Sequence, residues 1–387
     1  MVGRMTEVAV IGAGIHGAAA AFHLASRGAK VSIFERGTPA GGPTGRSSAI
    51  CRAYYTNPFL ARVARESLDL FARFTEATNG GRAEFVRTGL LFLHPPEDAP
   101  GVERVAEHLN GIGTATELLD PVEIERRFPG FDLAGIGIGA YERDAGYADP
   151  AGATAGLFHR AVELGAEGRL ETSVRSIEPL DGGGGTISTS AGDRTAFERI
   201  LIAAGPWTGP LASGLGVDLP LTVERHVVAV FRWGAAEPVT GHADLVGGYY
   251  FRPEGRDLFL VGSVHPAPPA DPDAFSETIT EAESAALSEP VSRRVPRLEA
   301  AEPFGGWASL YDVSPDWQPV IGEIAPGIFV DAGTSGHGFK LAPGLGRHVA
   351  GLVLGEDVDP ALHDFHPRRF DEGVTLAAGY RDARILG

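Results

Sequence analysis

A short apolar run, Val8 to Ile11, leads straight into Gly12-Ala13-Gly14-Ile15-His16-Gly17, and this junction constrains the fold more than any other part of the chain. An unbroken apolar run of this length suits a strand buried on both faces of a parallel sheet. Ala18 to Ser26 then read as a helix that stops near Gly28, and Lys30 to Phe34 read as a second strand ending at Glu35. The glycines have separate duties in such a unit. Gly12 permits the tight turn, Gly14 lets a pyrophosphate approach the backbone at the helix N-terminus, and Gly17 lets helix and strand pack closely. Glu35 follows Gly17 by 18 residues, where a carboxylate accepts hydrogen bonds from ribose hydroxyls. The amino-terminal segment is therefore expected to hold a dinucleotide, with Ile15 and His16 inside the turn and Arg36 just beyond the acid. A glutamate in that place disfavours a 2′-phosphate, and hence NADP. The pattern does not separate NAD from FAD.

Composition bounds the rest. A chain of 387 residues that is 43% hydrophobic has enough apolar material for two domains. A net charge of -17 weighs against nucleic acid or an anionic membrane surface as a partner. The single cysteine, Cys51, excludes a disulfide framework and points to a reducing cytoplasm. No apolar run reaches the length of a membrane span. The first residues resemble a signal peptide superficially, but Glu7 and His16 interrupt the apolar stretch and cleavage would destroy the glycine turn. They are read as mature protein. No metal site is expected.

Residues Gly41 to Tyr55 read GGPTGRSSAICRAYY. A loop rich in Gly, Ser and Thr departs from the usual continuation of an NAD domain and offers backbone N–H groups and hydroxyls to a longer cofactor. At this point the sequence resembles the D-amino acid oxidase superfamily of flavoproteins, most closely its sarcosine oxidase and sarcosine oxidase β-subunit-like branch. The segments Gly146–Glu167, Ile200–Leu211, Gly247–Gly255, Tyr311–Glu323 and Gly333–Gly346 resemble further stretches of that family, in the same order.

The resemblance implies FAD and an α/β fold with a Rossmann-type FAD-binding domain and a discontinuous second domain. The first would combine residues 8–84, 146–211 and 318–353. The substrate domain, 85–145 and 214–317, would be built on a mixed or antiparallel sheet, with 354–387 a C-terminal segment. Besides the glycine turn, Glu35 and Arg36, cofactor contacts are expected from Arg46, Ser47 and Ser48, and from Val174. Later contacts would come from Ala204, Gly205 and Trp207, and from Gly336, His337, Gly338, Phe339 and Lys340.

Local patterns agree with this division. Val223 to Phe231 reads as a strand that turns at Gly234. Tyr249–Arg252 and Leu258–Val261 read as a hairpin, and Asp181–Gly185 as a flexible hairpin turn. His94–Gly101 and His265–Phe275 read as Pro-rich surface connections, with a lid over the site as the alternative for either.

The implied reaction is oxidation of the C–N bond of an amino acid or N-alkyl amino acid by hydride transfer to flavin N5, giving an imine. Such chemistry asks the protein for orientation and charge. A substrate carboxylate calls for fixed cations, for which arginine's planar fork is well suited. Arg52 and Lys340 fall where the resemblance places that clamp. Lys30 and Lys340 are the only lysines in the chain, so a lysine kept within a Gly-rich loop is unlike ordinary surface solvation. Tyr250 and His265 are pocket candidates, with core or surface roles as the alternative. Arg46 is assigned to the flavin pyrophosphate or its loop. Backbone N–H groups around His337 are assigned to negative charge on the reduced ring.

Two departures stand out. Ser309 occupies the place of a flavin-linking cysteine in some relatives, so the FAD is expected to be non-covalent. Leu258–Ser263 carries no lysine where the monomeric oxidase has an oxygen-activating one, which leaves the electron acceptor open between oxygen and another partner. A 2-hydroxy-acid dehydrogenase on the same fold would need a base, and a flavin monooxygenase is a further alternative. A flavin-relaying subunit of a larger assembly or a catalytically silent flavin carrier also fits the sequence. The oligomeric state is open.

Overall fold

The computed structural model describes residues 6–233 and 239–376. Strand Glu7–Ile11 lies inside a six-stranded sheet, parallel to Lys30–Phe34 on one side and Arg199–Ile202 on the other. Val8, Ala9 and Val10 have no exposed surface, as an apolar run between two neighbours requires. The sheet runs Val320–Ala325, Ile328–Ala332, Arg199–Ile202, Glu7–Ile11, Lys30–Phe34, Glu167–Arg169, and only Val320–Ala325 is antiparallel to its neighbour.

The first helix is Ile15–Ser26, three residues longer at its start than the sequence reading. Gly14 is its N-cap, in an extended conformation and without a capping side chain, so the glycine turn itself forms the helix entrance. The buried alanines of this helix let a second helix, Gly338–Leu354, pack very closely. A Cβ on Gly346 would lie 2.8 Å from Ala19.

An eight-stranded sheet forms the other half, in the order Glu302–Val313, Thr222–Arg232, Leu258–Ser263, Tyr249–Glu254, His242–Asp244, Leu90–His94, Ile138–Glu142, Thr116–Leu119. Its pairs are antiparallel apart from His242–Asp244 against Leu90–His94. Alternation along the strands divides its faces. Tyr249, Phe251, Phe259 and Val261 join Leu287 and Val291 of helix Glu281–Arg294 in one apolar cluster, while Tyr250 and Arg252 take the opposite direction. A small sheet of Ile50–Cys51, Gly146–Tyr147 and Val86–Arg87 lies between segments of the two larger ones.

The hairpin turn at Asp181–Gly185 is present between Val174–Pro179 and Gly185–Thr189, with Gly183 and Gly184 at φ 89° and 72°. The reading of His94–Gly101 as a surface connection needs correction. His94 ends strand Leu90–His94 and is fully buried, and Ala99 already begins a helix to Gly111. Pro100 sits in the first turn of that helix, where its missing N–H costs nothing. The turn expected at Gly234 lies outside the described residues. Among the described residues, no helix is long and apolar enough to cross a membrane.

Candidate functional site

A cavity of about 690 Å³ is lined from both large sheets. One group of lining residues comprises Gly12, Gly14, Ile15, Glu35, Arg36, Val174, Ala204, Gly205 and Trp207; a second comprises Ser48, His226, Tyr250, Ser309, Tyr311, Gly336 and Phe339. Arg46, Ser47, His16 and Gly338 also line it.

The first group fits a dinucleotide. Gly12 has φ 104°, and a Cβ there would sit 2.4 Å from Ala203 O; a Cβ on Gly17 would sit 1.9 Å from Gly12 O. Both positions are closed to side chains by the protein itself. Gly14 differs: its Cβ would meet only Thr44 Oγ1, at 3.2 Å, so the demand for glycine there comes from the cavity side. Gly17 serves packing and does not line the cavity. Glu35 is pinned in place, with Oε2 accepting from Ala13 N and Oε1 from Gly37 N, each at 2.8 Å. An ionised carboxylate has further lone pairs for ribose hydroxyls. Arg36 places its guanidinium 3.6 Å from the Trp207 ring centroid, and Trp207 Nε1 donates to Asp273 Oδ1 at 2.8 Å. The stretch 265–275, which holds no helix or strand, is thus fastened to the cavity wall through Asp273.

Arg46 donates to Gly41 O and Gly42 O and pairs with Glu277 at 2.8 Å. Its side chain steadies the loop. His16 is held on both sides: Nδ1 is 2.9 Å from each oxygen of Asp331, and Nε2 is 3.1 Å from Gly338 O. Burial alone would push this imidazole towards neutrality, but the Asp331 carboxylate, helped by Asp312 and the Gly338 carbonyl, raises its pKa above the usual histidine value. Asp312 accepts from Gly333 N at 2.7 Å and from Thr334 Oγ1 at 3.2 Å, shaping the Gly333–Gly336 turn. A Cβ on Gly336, at φ 81°, would strike the Tyr311 ring at 2.4 Å.

In the second group, Tyr250 and Tyr311 share a hydrogen bond, and Tyr250 also bonds Ser48. Burial pushes both phenols up. Tyr311 stacks on His226 with centroids 3.9 Å apart, and His226 Nε2 meets Glu224 Oε2 at 3.0 Å. Ser309 lines the cavity with its hydroxyl 3.4 Å from Pro43 O. Arg252 is committed elsewhere, donating Nε to Ser48 O at 2.6 Å and pairing with Glu254.

Arg52 and Lys340 come together, but in a buried region outside the lining of this cavity; they are 3% and 9% exposed. Arg52 lies 4.4 Å from the Tyr55 ring centroid and donates to Tyr54 O. Lys340, in the first turn of helix Gly338–Leu354, has Nζ 3.5 Å from Gly336 O. Burial, reinforced by the Arg52 charge, lowers the Lys340 pKa to about 7.

Two expectations need correction. His265 is exposed, fills the slot left by the missing side chain of Gly248, and does not line the cavity. Its strand ends at Ser263, and Pro266 directly after it continues as exposed chain. His337 is buried beside Tyr55, but its backbone N–H donates to Thr334 O at 2.8 Å and is engaged within the turn. The sequence reading missed Thr44, His226, Asp312 and Asp331. An acid ending the apolar run Ile328–Ala332 was a legible signal for Asp331, and period-two alternation with Val228 was one for His226.

Known proteins resemble this chain over most of its length. Residues 7–352 match the family described as FAD dependent oxidoreductase. Monomeric sarcosine oxidase from Streptomyces avermitilis is 29% identical over 394 residues, covering 94% of this chain and 97% of that protein. Glycine oxidase from Geobacillus kaustophilus is 28% identical over 360 residues, covering 90% and 92%. The crystal structure of L-proline dehydrogenase from P. horikoshii aligns with a TM-score of 0.86 at 26% identity, covering 96% of this chain and 99% of that one. The match runs from the glycine turn through the helix that carries Lys340, and the chain belongs to the FAD dependent oxidoreductase family.

Proposed function

We propose that this protein oxidises the carbon–nitrogen bond of an amino acid or N-alkyl amino acid to an imine, using non-covalently held FAD. The observation that carries the reading is the buried juxtaposition of Arg52 and Lys340 beside the Gly336–Phe339 segment of the cavity. Two cations kept out of water have a use when they meet an anion, and a carboxylate is the anion an amino acid brings. Relatives named as sarcosine oxidase and glycine oxidase support this substrate class.

FAD, when bound, supplies the two-electron acceptor. The chain's own residues do the rest. Gly12, Gly14 and the helix entrance receive the pyrophosphate, and Glu35 receives the ribose. Ser47, Ser48, Phe339 and Gly338 face the flavin. Arg52 and Lys340 fix the substrate carboxylate, which sets the direction of its C–H bond. The Tyr250–Tyr311 pair walls the reacting end. We assign residues 8–84, 146–211 and 318–353 to cofactor binding, 85–145 and 214–317 to substrate binding, and the working compartment to the cytoplasm. The absence of lysine from Leu258–Ser263 favours an acceptor other than oxygen.

The test is anaerobic bleaching of the flavin band with a panel of amino acids, N-methyl amino acids and matched 2-hydroxy acids. Bleaching by the amines is expected. Bleaching by hydroxy acids alone would transfer the assignment to a hydroxy-acid dehydrogenase. Acid precipitation should release the FAD into the supernatant, and flavin retained by the pellet would contradict non-covalent binding.

A further inference from the structure

Glu142 ends strand Ile138–Glu142 of the eight-stranded sheet and has no exposed surface. Its side chain does not stay within that sheet. Oε1 accepts from Ala53 N at 2.7 Å and Oε2 accepts from Tyr54 N at 3.0 Å. These are the two peptide groups immediately after Arg52. Arg52 in turn folds over its own turn, donating to Tyr54 O and lying against the Tyr55 ring. The Arg52–Tyr55 turn is therefore gripped by the carboxylate through its N–H groups and by the guanidinium through a carbonyl.

Charge points the same way. Arg52 and Lys340 are like charges in one buried region, and the Arg52 charge makes Lys340 harder to protonate. The cation whose field favours ionised Glu142 is Arg52. We propose that Glu142 is a positioning residue for substrate capture. It fixes the backbone from which Arg52 reaches the carboxylate, and where it is ionised its charge offsets part of the Arg52–Lys340 repulsion. This rests on the assignment of Arg52 and Lys340 to the substrate carboxylate.

The groups acting on Glu142 are Arg52, and Asp144 beyond its own strand; Cys51 and Tyr55 feel its charge in return. Those acting on Lys340 are Arg52 and Cys51. Burial raises the Glu142 carboxyl to about 7, against the pull of the two N–H groups and Arg52. Removing its charge leaves Arg52 less compensated, so Lys340 should surrender its proton at lower pH.

Acetate, a bare carboxylate, is titrated against the visible flavin spectrum of the holoenzyme between pH 6 and 9. In the natural protein the acetate Kd is expected to rise as pH climbs through about 7. Glu142→Gln should weaken binding roughly 10-fold at neutral pH, the scale of one charge-assisted hydrogen bond, and move the onset of that rise to lower pH. Glu142→Asp keeps the charge and shortens the reach, so it should weaken binding without the acid shift. FAD content and thermal midpoint are followed in parallel. A purely structural glutamate would lower both and leave the pH profile in place, which would overturn the proposal. If Glu142→Gln does not fold, Glu142→Asp decides: weakened acetate binding with FAD content, thermal midpoint and pH profile all retained supports the proposal, and an acid shift, or a loss of FAD or thermal stability in step with the weakened binding, overturns it. Failure of acetate to perturb the flavin of the natural protein at any pH would instead sink the carboxylate assignment itself.

Discussion

His16 Nδ1 stands 2.9 Å from both carboxylate oxygens of Asp331, while its Nε2 faces the Gly338 carbonyl at 3.1 Å. Two acceptors on two ring nitrogens are both satisfied only when the ring carries two protons, so the geometry favours the imidazolium. Its raised pKa agrees with that geometry. The cation ties the dinucleotide turn to the end of strand Ile328–Ala332, across 315 residues of sequence.

A histidine whose folded pKa exceeds its unfolded one adds stability that is complete below the unfolded value and lost as pH rises through the folded value. FAD retention and thermal stability should therefore both fall on the alkaline side of 6.5. His16→Asn should flatten that dependence and lower stability by about 1.5–3 kcal/mol, the scale of a hydrogen bond to a charged group. Flavin fluorescence released at equilibrium, measured from pH 6 to 9, reads this out. FAD affinity that rises with pH in the natural protein would contradict it.

Arg52→Ala and Lys340→Ala should each raise the half-saturating concentration of a carboxylate substrate by roughly 10- to 100-fold, from about 1.5–3 kcal/mol of lost charge-assisted hydrogen bonding. FAD should stay bound. Amines without a carboxylate should respond far less. Because Lys340 titrates near 7 and is charged below that value, capture should weaken as pH rises through it, and Lys340→Arg should extend capture to higher pH. Equal losses on both classes of amine would show that the pair serves the fold or the flavin.

Reoxidation by air should be slow. Strand Leu258–Ser263 has no lysine, Lys30 begins a strand of the other sheet, and Arg252 is held by Ser48 and Glu254. No mobile cation from these positions is left to stabilise superoxide beside the flavin. The check is reduction with dithionite followed by mixing with oxygenated buffer, with and without an artificial acceptor. Rapid, oxygen-proportional recovery of the flavin band with stoichiometric peroxide would identify a true oxidase.

Arg369 and Asp316 form a fully buried bidentate pair, with contacts of 3.0 and 2.9 Å, and Arg369 also donates to Phe365 O and Gln318 O. Arg369→Met should cost about 3–5 kcal/mol by leaving a buried carboxylate without its cation. Replacing both, as Asp316→Leu with Arg369→Met, should recover part of that loss. Urea midpoints of the two variants provide the comparison.

The sequence revealed what is local. The glycine turn, the strands around it, strand Thr222–Arg232 and the Tyr249 hairpin each carry their own periodicity or turn chemistry, so they could be read from neighbouring residues. Strand Leu90–His94 was missed, and the prolines after His94 drew attention to a loop, although the residue before them is a strand end. Relations between distant segments were not legible. Glu142 meets Ala53 across 89 residues, and no local pattern announces that meeting. His265 failed for the converse reason: its place in the chain resembled a pocket position, but the missing side chain of Gly248 gives its imidazole a home on the surface.

The contact between Gly346 and Ala19 sets a ruler. One helix starts at the turn meant for the cofactor, and the other carries Lys340 in its first turn. Their spacing is fixed by two small residues in near backbone contact, far from the surface loops. With Lys340 in its proposed role, the gauge between oxidant and anchored substrate is cut into the scaffold. On the proposed roles, a substitution in the pocket wall would change which molecule is held and leave that distance untouched.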